Sequence, residues 1–169
     1  MTDSRMRQLP SLFDRGARRW LRCPTWVRVL PPLVVMALLW WSSSREPTPG
    51  PRDVPGILWR NAMHVVAYAI LGASLLMAMH SVPRRRLVGP GLWSFLIAIA
   101  YGIVDELHQS FVPGRVCSLA DVFADAAGAA LALAIVIPWL QRERPRGAVL
   151  GLCLCACAVS VALATWDLF

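Results

Sequence analysis

The chain contains no lysine, and all seventeen of its basic residues are arginine. We interpret this as coding bias and derive no mechanism from it. The chain also lacks a recognisable nucleic-acid-binding motif, and although its net charge is +7, the arginines lie between apolar segments and do not form one stripe. The sequence therefore argues against a nucleic-acid-binding protein and favours contact with anionic lipid headgroups.

Clustered metal ligands are also missing. Three of the five cysteines, Cys153, Cys155 and Cys157, are spaced by two residues, so on a helix they point to different faces and cannot surround one metal ion. We interpret them as small apolar packing residues. Cys23 and Cys117 are predicted on opposite sides of a membrane and cannot pair. No cofactor is predicted, and no feature of the sequence indicates an oligomeric state.

Apolar residues are abundant: they make up 57% of the 169 residues, and the mean hydropathy is +0.53. This apolar content exceeds what a water-soluble domain of this size needs to fill its core. The sequence therefore predicts an integral membrane protein that contacts the lipid bilayer. The fold class is all-α, a polytopic membrane helical bundle of about five transmembrane helices. The predicted spans are residues 26–43, 57–80, 91–109, 119–140 and 148–166.

The segments between the spans are basic or rich in proline. Residues 1–25 form a basic cytoplasmic arm, in part an interfacial helix anchored by Trp20. The first span is predicted to be uncleaved, because no small-residue cleavage site follows it. Residues 44–56 contain four prolines and are predicted to be an extended connection in water. Residues 81–90 form a short turn with three arginines, and three more lie between residues 142 and 146.

Most of the polar chemistry is concentrated between Tyr101 and Gly128. This stretch contains Asp105, Glu106, His108, Gln109, Arg115, Asp121 and Asp125. Ionisable groups next to apolar spans are costly in a membrane protein, so we predict that the functional site lies here. Residues 91–104 are too short to cross a bilayer, which places residues 105–109 at membrane depth, facing protein or water.

The chain is predicted to reverse direction directly after this span. Val112-Pro113-Gly114-Arg115 fits a type II turn, in which glycine supplies the positive φ. Ser118 to Asp121 then resembles a capping box, with Asp121 in the place of the usual Glu or Gln.

The arginine distribution predicts the orientation of the chain. With the N-terminus in the cytoplasm, thirteen arginines lie on the inner side and four on the outer side. The reversal from Asp105 to Asp121 and the start of the second span would then lie at the outer face.

Residues three and four positions apart share a helix face. One such face holds His64 and Tyr68, a second holds Tyr101, Asp105, His108 and Gln109, and a third holds Asp121, Asp125 and Gly128. We expect these three polar stripes to face one another around a small outward-facing cavity. Gly128 and Ala132 form a small-xxx-small pattern that permits close helix approach.

Structural roles compete with functional ones at several of these positions. Asp121 is equally well explained as a helix cap, and His64 alone as a hydrogen-bonded packing residue. Asp105 and Glu106 oppose the helix dipole in the last turn and need a compensating cation. Arg115 is the first candidate for that cation, and protonated His108 and a metal ion are the others.

The segment from Tyr101 to Arg115, followed by Asp121 and Gly128, closely resembles the signature of the VanZ-like family of small bacterial membrane proteins. The segment from His64 to Gly72 is similar to that family's second hallmark, and the resemblance spans residues 57–140. Arg60-Asn61 departs from the Asp-Lys pair often found in the family, and Asp125 replaces a usual Asn. The resemblance implies a link to resistance to the glycopeptide teicoplanin.

Two functions follow as hypotheses. The first is a non-catalytic envelope protein that binds a lipid-linked cell-wall precursor or a glycopeptide, with Arg115 pairing an anionic group. The second is a small membrane enzyme acting on a phospholipid-like substrate, with His108 or His64 as acid or base and Asp105 orienting it. A metal ion held by Asp105, His108 and His64 is a variant of the second hypothesis.

Overall fold

Five long helices are found in the computed structural model, which describes residues 16, 19–20, 22–46, 54–80, 88–115, 117–141 and 143–166. They are α1 (Thr25–Ser43), α2 (Val54–Met79), α3 (Val88–Gln109), α4 (Leu119–Gln141) and α5 (Gly147–Trp166). Each contains a stretch long and apolar enough to cross a bilayer. The predicted all-α polytopic bundle is confirmed, and the protein is a multi-pass membrane protein.

Two helices begin earlier than the sequence pattern predicts. α2 starts at Val54, inside the segment expected to be extended, and α3 starts at Val88, inside the expected basic turn. The prolines at positions 55 and 90 lie in the first turns of these helices, where the missing N–H has no intrahelical partner to lose. Proline was therefore a start signal at both places and not a stop signal.

Several predicted segments lie outside the described residues. These are nearly all of the basic arm before Trp20, residues 47–53 of the proline-rich connection, Arg84 to Arg86, and Arg142.

α4 is the central helix and packs against α2, α3 and α5. Its buried face consists mainly of small residues, which allow a backbone-to-backbone contact with α2. A Cβ atom added at Gly128 would overlap the carbonyl oxygen of Val65, and one at Gly72 would lie 3.2 Å from the Cα of Ala129. The close approach predicted at Gly128 is confirmed.

Hydrogen bonds between helices define the two ends of the bundle. At one end, called here the Asp105 end, Ser43 of α1 meets Asp105 of α3, and Asn61 of α2 donates to Thr165 of α5 over 3.2 Å. At the opposite end, Arg28 donates to the carbonyl oxygen of His80 over 2.8 Å. The chain therefore brings the end of α1, the start of α2, the end of α3 and the start of α4 together at the Asp105 end.

The predicted turn joins α3 to α4 at this same end. The N–H of Arg115 donates to the carbonyl oxygen of Val112 over 3.1 Å, and Gly114 has a φ of 76°. The four-residue reversal and the positive φ of its glycine are both confirmed.

Candidate functional site

Asp105 is buried between α3 and the end of α1, where both of its carboxylate oxygens accept hydrogen bonds. The hydroxyl of Ser43 donates to Oδ1 over 2.6 Å, and the side-chain amide of Gln109 donates to Oδ2 over 3.2 Å. A carboxylate with two donors can remain in an apolar interior, because the hydrogen bonds replace those lost to water.

The other polar residues on this face of α3 also contact α1. The hydroxyl of Tyr101 donates to the carbonyl oxygen of Met36 over 2.5 Å. The ring of His108 stacks on Trp40 at a centroid distance of 3.8 Å, and its Nε2 lies 2.9 Å from the hydroxyl of Ser44. The face predicted to hold Tyr101, Asp105, His108 and Gln109 is therefore directed at the C-terminal turns of α1.

Glu106 points in another direction, toward the start of α4. Its Oε2 accepts a hydrogen bond from the backbone N–H of Ser118 over 3.0 Å, and the hydroxyl of Ser118 accepts from the N–H of Ala120 over 3.1 Å. Ser118 thus caps α4 as predicted. The carboxylate of Glu106 lies at the positive end of the α4 dipole, which offsets its unfavourable position in the last turn of α3.

Asp125 forms a pair with His64 between α4 and α2. Its Oδ1 lies 3.2 Å from Nδ1 of His64, with the aspartate 1% exposed and the histidine 17% exposed. A Cβ atom added at Gly102 would lie 2.9 Å from Oδ2 of Asp125 and 3.3 Å from Cε1 of Tyr68. The absence of a side chain at Gly102 therefore leaves room for both groups.

Of the buried side-chain polar atoms that have no hydrogen-bond partner among the described residues, three belong to fully buried side chains. They are the hydroxyl oxygen of Tyr68, Oε1 of Glu106 and Oδ2 of Asp125. The three side chains are between 0% and 2% exposed and come from α2, α3 and α4. We call these three side chains the buried triad. Unpartnered groups of this kind are rare in proteins and require an explanation.

Arg115 is directed at the end of α1. Its Nε donates to the carbonyl oxygen of Arg45 over 3.1 Å, and its Nη2 donates to that of Ser42 over 3.0 Å. The guanidinium therefore donates to two backbone carbonyl groups at and just after the end of α1, of which that of Ser42 also accepts the N–H of Arg45. Asp121 lies in the first turn of α4, where a negative charge is favourable.

The histidines and carboxylates form separate hydrogen bonds. In the part of the chain that the structure describes, no group of three His, Cys, Asp or Glu side chains is arranged to hold a metal ion. His64 is bonded to Asp125, His108 contacts α1, and Asp105 is bonded to Ser43 and Gln109.

A family model described as VanZ/LLP1 matches residues 20–141. The chain belongs to the VanZ/LLP1 family. The resemblance seen in the sequence is thereby confirmed, and the match also takes in α1, which lies before residues 57–140. No curated protein and no solved structure matches the chain.

Sequence reasoning missed the part of this candidate site that α1 contributes. Ser43 and Ser44 reach Asp105 and His108 from more than 60 residues away in the chain. The signal for them was the run of three serines that ends an otherwise apolar span. Gly102, which leaves room beside Asp125, carried no comparable signal because the sequence does not show which helix faces it.

Proposed function

We propose that this VanZ-family protein binds a polar group at the Asp105 end of its bundle, in the bacterial cell envelope, and contributes to glycopeptide (teicoplanin-type) resistance without catalysing a reaction. The observation that carries the proposal is the buried triad. A protein loses stability by keeping polar atoms buried without partners, so their retention favours a ligand that supplies the missing hydrogen bonds.

The arginine distribution supports an outward-facing site, since thirteen arginines against four favour a cytoplasmic N-terminus. A lipid-linked cell-wall precursor and the glycopeptide itself are the candidate ligands at that face. Nε and Nη2 of Arg115 are bonded to the carbonyl oxygens of Arg45 and Ser42, so contacts with the end of α1 already occupy part of the guanidinium. A site built around Arg115 alone is therefore less favoured than one built around the buried triad.

The proposal is tested by the teicoplanin sensitivity of a host strain that expresses the protein at controlled level. The wild type is expected to lower the sensitivity, and Glu106→Gln and Asp125→Asn are expected to remove most of that effect. Both substitutions keep the shape of the side chain and remove its charge. Glu143→Gln is the matched control, because Glu143 is exposed and lies beyond the far end of α4. Equal sensitivity with and without the wild-type protein would contradict the proposal.

The second candidate is a small membrane enzyme, and the His64–Asp125 pair is the observation that favours it. A carboxylate bonded to Nδ1 orients an imidazole so that Nε2 can act as acid or base. In this hypothesis His64 is the acid or base, and Asp125 takes the orienting role that the sequence assigned to Asp105. If the protein is an enzyme, overexpression will change the membrane lipid profile, and Asp125→Asn will abolish that change. A changed profile that survives both Asp125→Asn and His64→Gln would exclude this pair as the catalytic group.

A further inference from the structure

The buried triad consists of side chains from three different helices. Oδ2 of Asp125 and the ring of Tyr68 both lie against Gly102, and the charge of Asp125 acts on Glu106. The two carboxylate oxygens accept hydrogen bonds when ionised, and the phenol hydroxyl can donate one as well as accept one. The missing partner is thus a donor, or several donors on one group.

The charge around the triad is negative. Asp105 and Asp121 lie within electrostatic range of Asp125, and His64 is the cationic partner bonded to it when protonated. Buried carboxylates need a compensating positive charge, because desolvation otherwise makes the ionised form costly. The missing donor is therefore expected to carry a positive charge.

A primary ammonium group meets both requirements. It has three N–H donors and a compact charge, and hydrogen bonds between ionised partners are stronger than those between neutral ones. A metal ion fits less well, because the described residues contain no group of three suitable ligands. His64, which is bonded to Asp125, is 17% exposed.

We infer that the buried triad of Tyr68, Glu106 and Asp125 is a binding site for the primary ammonium group of the ligand. This inference rests on the proposed function, in that it specifies the polar group that the same site binds. Two sources offer this chemistry: the headgroup of an aminophospholipid in the surrounding bilayer, and an amine carried by a soluble ligand.

The test uses the full-length protein in nanodiscs of phosphatidylglycerol, with thermal unfolding followed by tryptophan fluorescence. Methylammonium chloride is expected to raise the unfolding midpoint with concentration, because it binds the folded state. Tetramethylammonium chloride has the same charge but no N–H donor and is expected to have no effect at equal concentration.

Variants assign the effect to the triad. Glu106→Gln and Asp125→Asn are each expected to weaken the apparent affinity for methylammonium about tenfold, the effect of losing one charge-assisted hydrogen bond. Tyr68→Phe removes a single hydroxyl and is expected to cause a smaller loss of affinity for methylammonium. This variant still tests the inference if a charge variant does not fold. Glu143→Gln, exposed and at the opposite end, is expected to bind like the wild type.

Nanodiscs that also contain phosphatidylethanolamine separate the two sources. If the lipid is the source, this mixture will raise the midpoint of the wild type but not of Glu106→Gln, and added methylammonium will have less effect. If the source is soluble, the mixture will change nothing and methylammonium will act as before. Both results support an ammonium site.

The inference is overturned if tetramethylammonium raises the unfolding midpoint as methylammonium does, or if neither cation raises it. It is also overturned if the triad variants respond like the wild type. Failure of the proposed function is seen separately. Ammonium binding without any effect of the same variants on teicoplanin sensitivity would refute the resistance role alone. Altered sensitivity without ammonium binding would refute the ammonium site alone.

Discussion

Asp105 and Glu106 are neighbours in the chain, but their carboxylates are stabilised by different helices. Asp105 receives the hydroxyl of Ser43 from α1, whereas Glu106 receives the N–H of Ser118 at the start of α4. Adjacent residues on a helix point about 100° apart, so two consecutive carboxylates can serve two separate contacts. At the residue scale, the site is a set of individually paired groups, and the buried triad stands out because each of its side chains keeps one oxygen atom without a partner among the described residues.

The contact between Ser43 and Asp105 yields the first prediction. Ser43→Ala removes the donor to Oδ1 and leaves a buried carboxylate oxygen without that partner, so the free energy of unfolding is expected to fall by about 1–3 kcal/mol. The measurement is equilibrium unfolding in detergent micelles. Ser42→Ala is the control, because this neighbouring serine is exposed and bonds through its backbone carbonyl. Equal stability of the two variants would contradict the assigned contact.

At the scale of the elements, two devices hold the helices in register. One is the contact between α2 and α4, where the backbones touch at Gly128. The other is Arg115, which extends from the turn after α3 to carbonyl groups at and just after the end of α1. Both act between helices that are not consecutive in the chain. The first depends on the missing side chain of Gly128 and the second on the guanidinium group of Arg115, and a conservative substitution would remove either feature.

Gly128→Ala is expected to force α2 and α4 apart, because the new methyl group would overlap the backbone of Val65. Overpacking of this kind costs about 1–3 kcal/mol of stability. Gly151→Ala is the matched control on α5, where an added Cβ meets nothing within 4 Å. It is expected to leave stability unchanged or raise it by up to about 1 kcal/mol, since alanine favours helix more than glycine does. The two substitutions are compared by thermal unfolding in the same detergent.

Arg115→Lys preserves the charge but cannot reproduce the paired donation from Nε and Nη2. We expect the end of α1 to detach more easily from α3, with a loss of about 1 kcal/mol because the contact is partly solvated. Hydrogen exchange of the last turn of α1 would report the change locally. Arg45→Lys is the control, because Arg45 contributes its carbonyl to this contact while its side chain lies over Trp41. Equal exchange in both variants would remove Arg115 from this role.

At the scale of the whole molecule, one question is which end of the bundle faces outward. The two ends differ in their cysteines, since Cys117 lies in the turn at the Asp105 end and Cys23 precedes α1 at the opposite end. The pKa of the Cys117 thiol is raised by partial burial and by the negative charge of nearby Glu106. Because the thiolate is the reactive form, its labelling will be slow at neutral pH and faster as the pH rises.

A variant that retains only Cys117 is expected to react with a membrane-impermeant maleimide on intact cells, at a rate that Glu106→Gln increases. The substitution acts by removing the negative charge that disfavours the thiolate. A variant that retains only Cys23 should react only after the cells are opened. The reverse pattern would place the Asp105 end in the cytoplasm and contradict the orientation.

Hydrophobicity and local rules were sufficient to predict the helices and the turn. The number of spans follows from the lengths of the apolar segments. The reversal at Gly114 follows from the Pro113-Gly114 pair, because the backbone preferences of these two residues are local. The predicted starts of α2 and α3 were wrong. Proline can either end a helix or begin one, and only the contacts of the first turn decide which of these occurs.

The sequence alone thus determined that this protein is a polytopic helical bundle of the VanZ/LLP1 family and which polar residues are concentrated near one end of it. Only the tertiary structure decided their partners: Asp105 with Ser43, Glu106 with the start of α4, and Asp125 with His64. The physical reason is the range of the interactions. Helix formation depends on residues within a few positions, whereas these pairs depend on how separate helices pack, which no local pattern specifies.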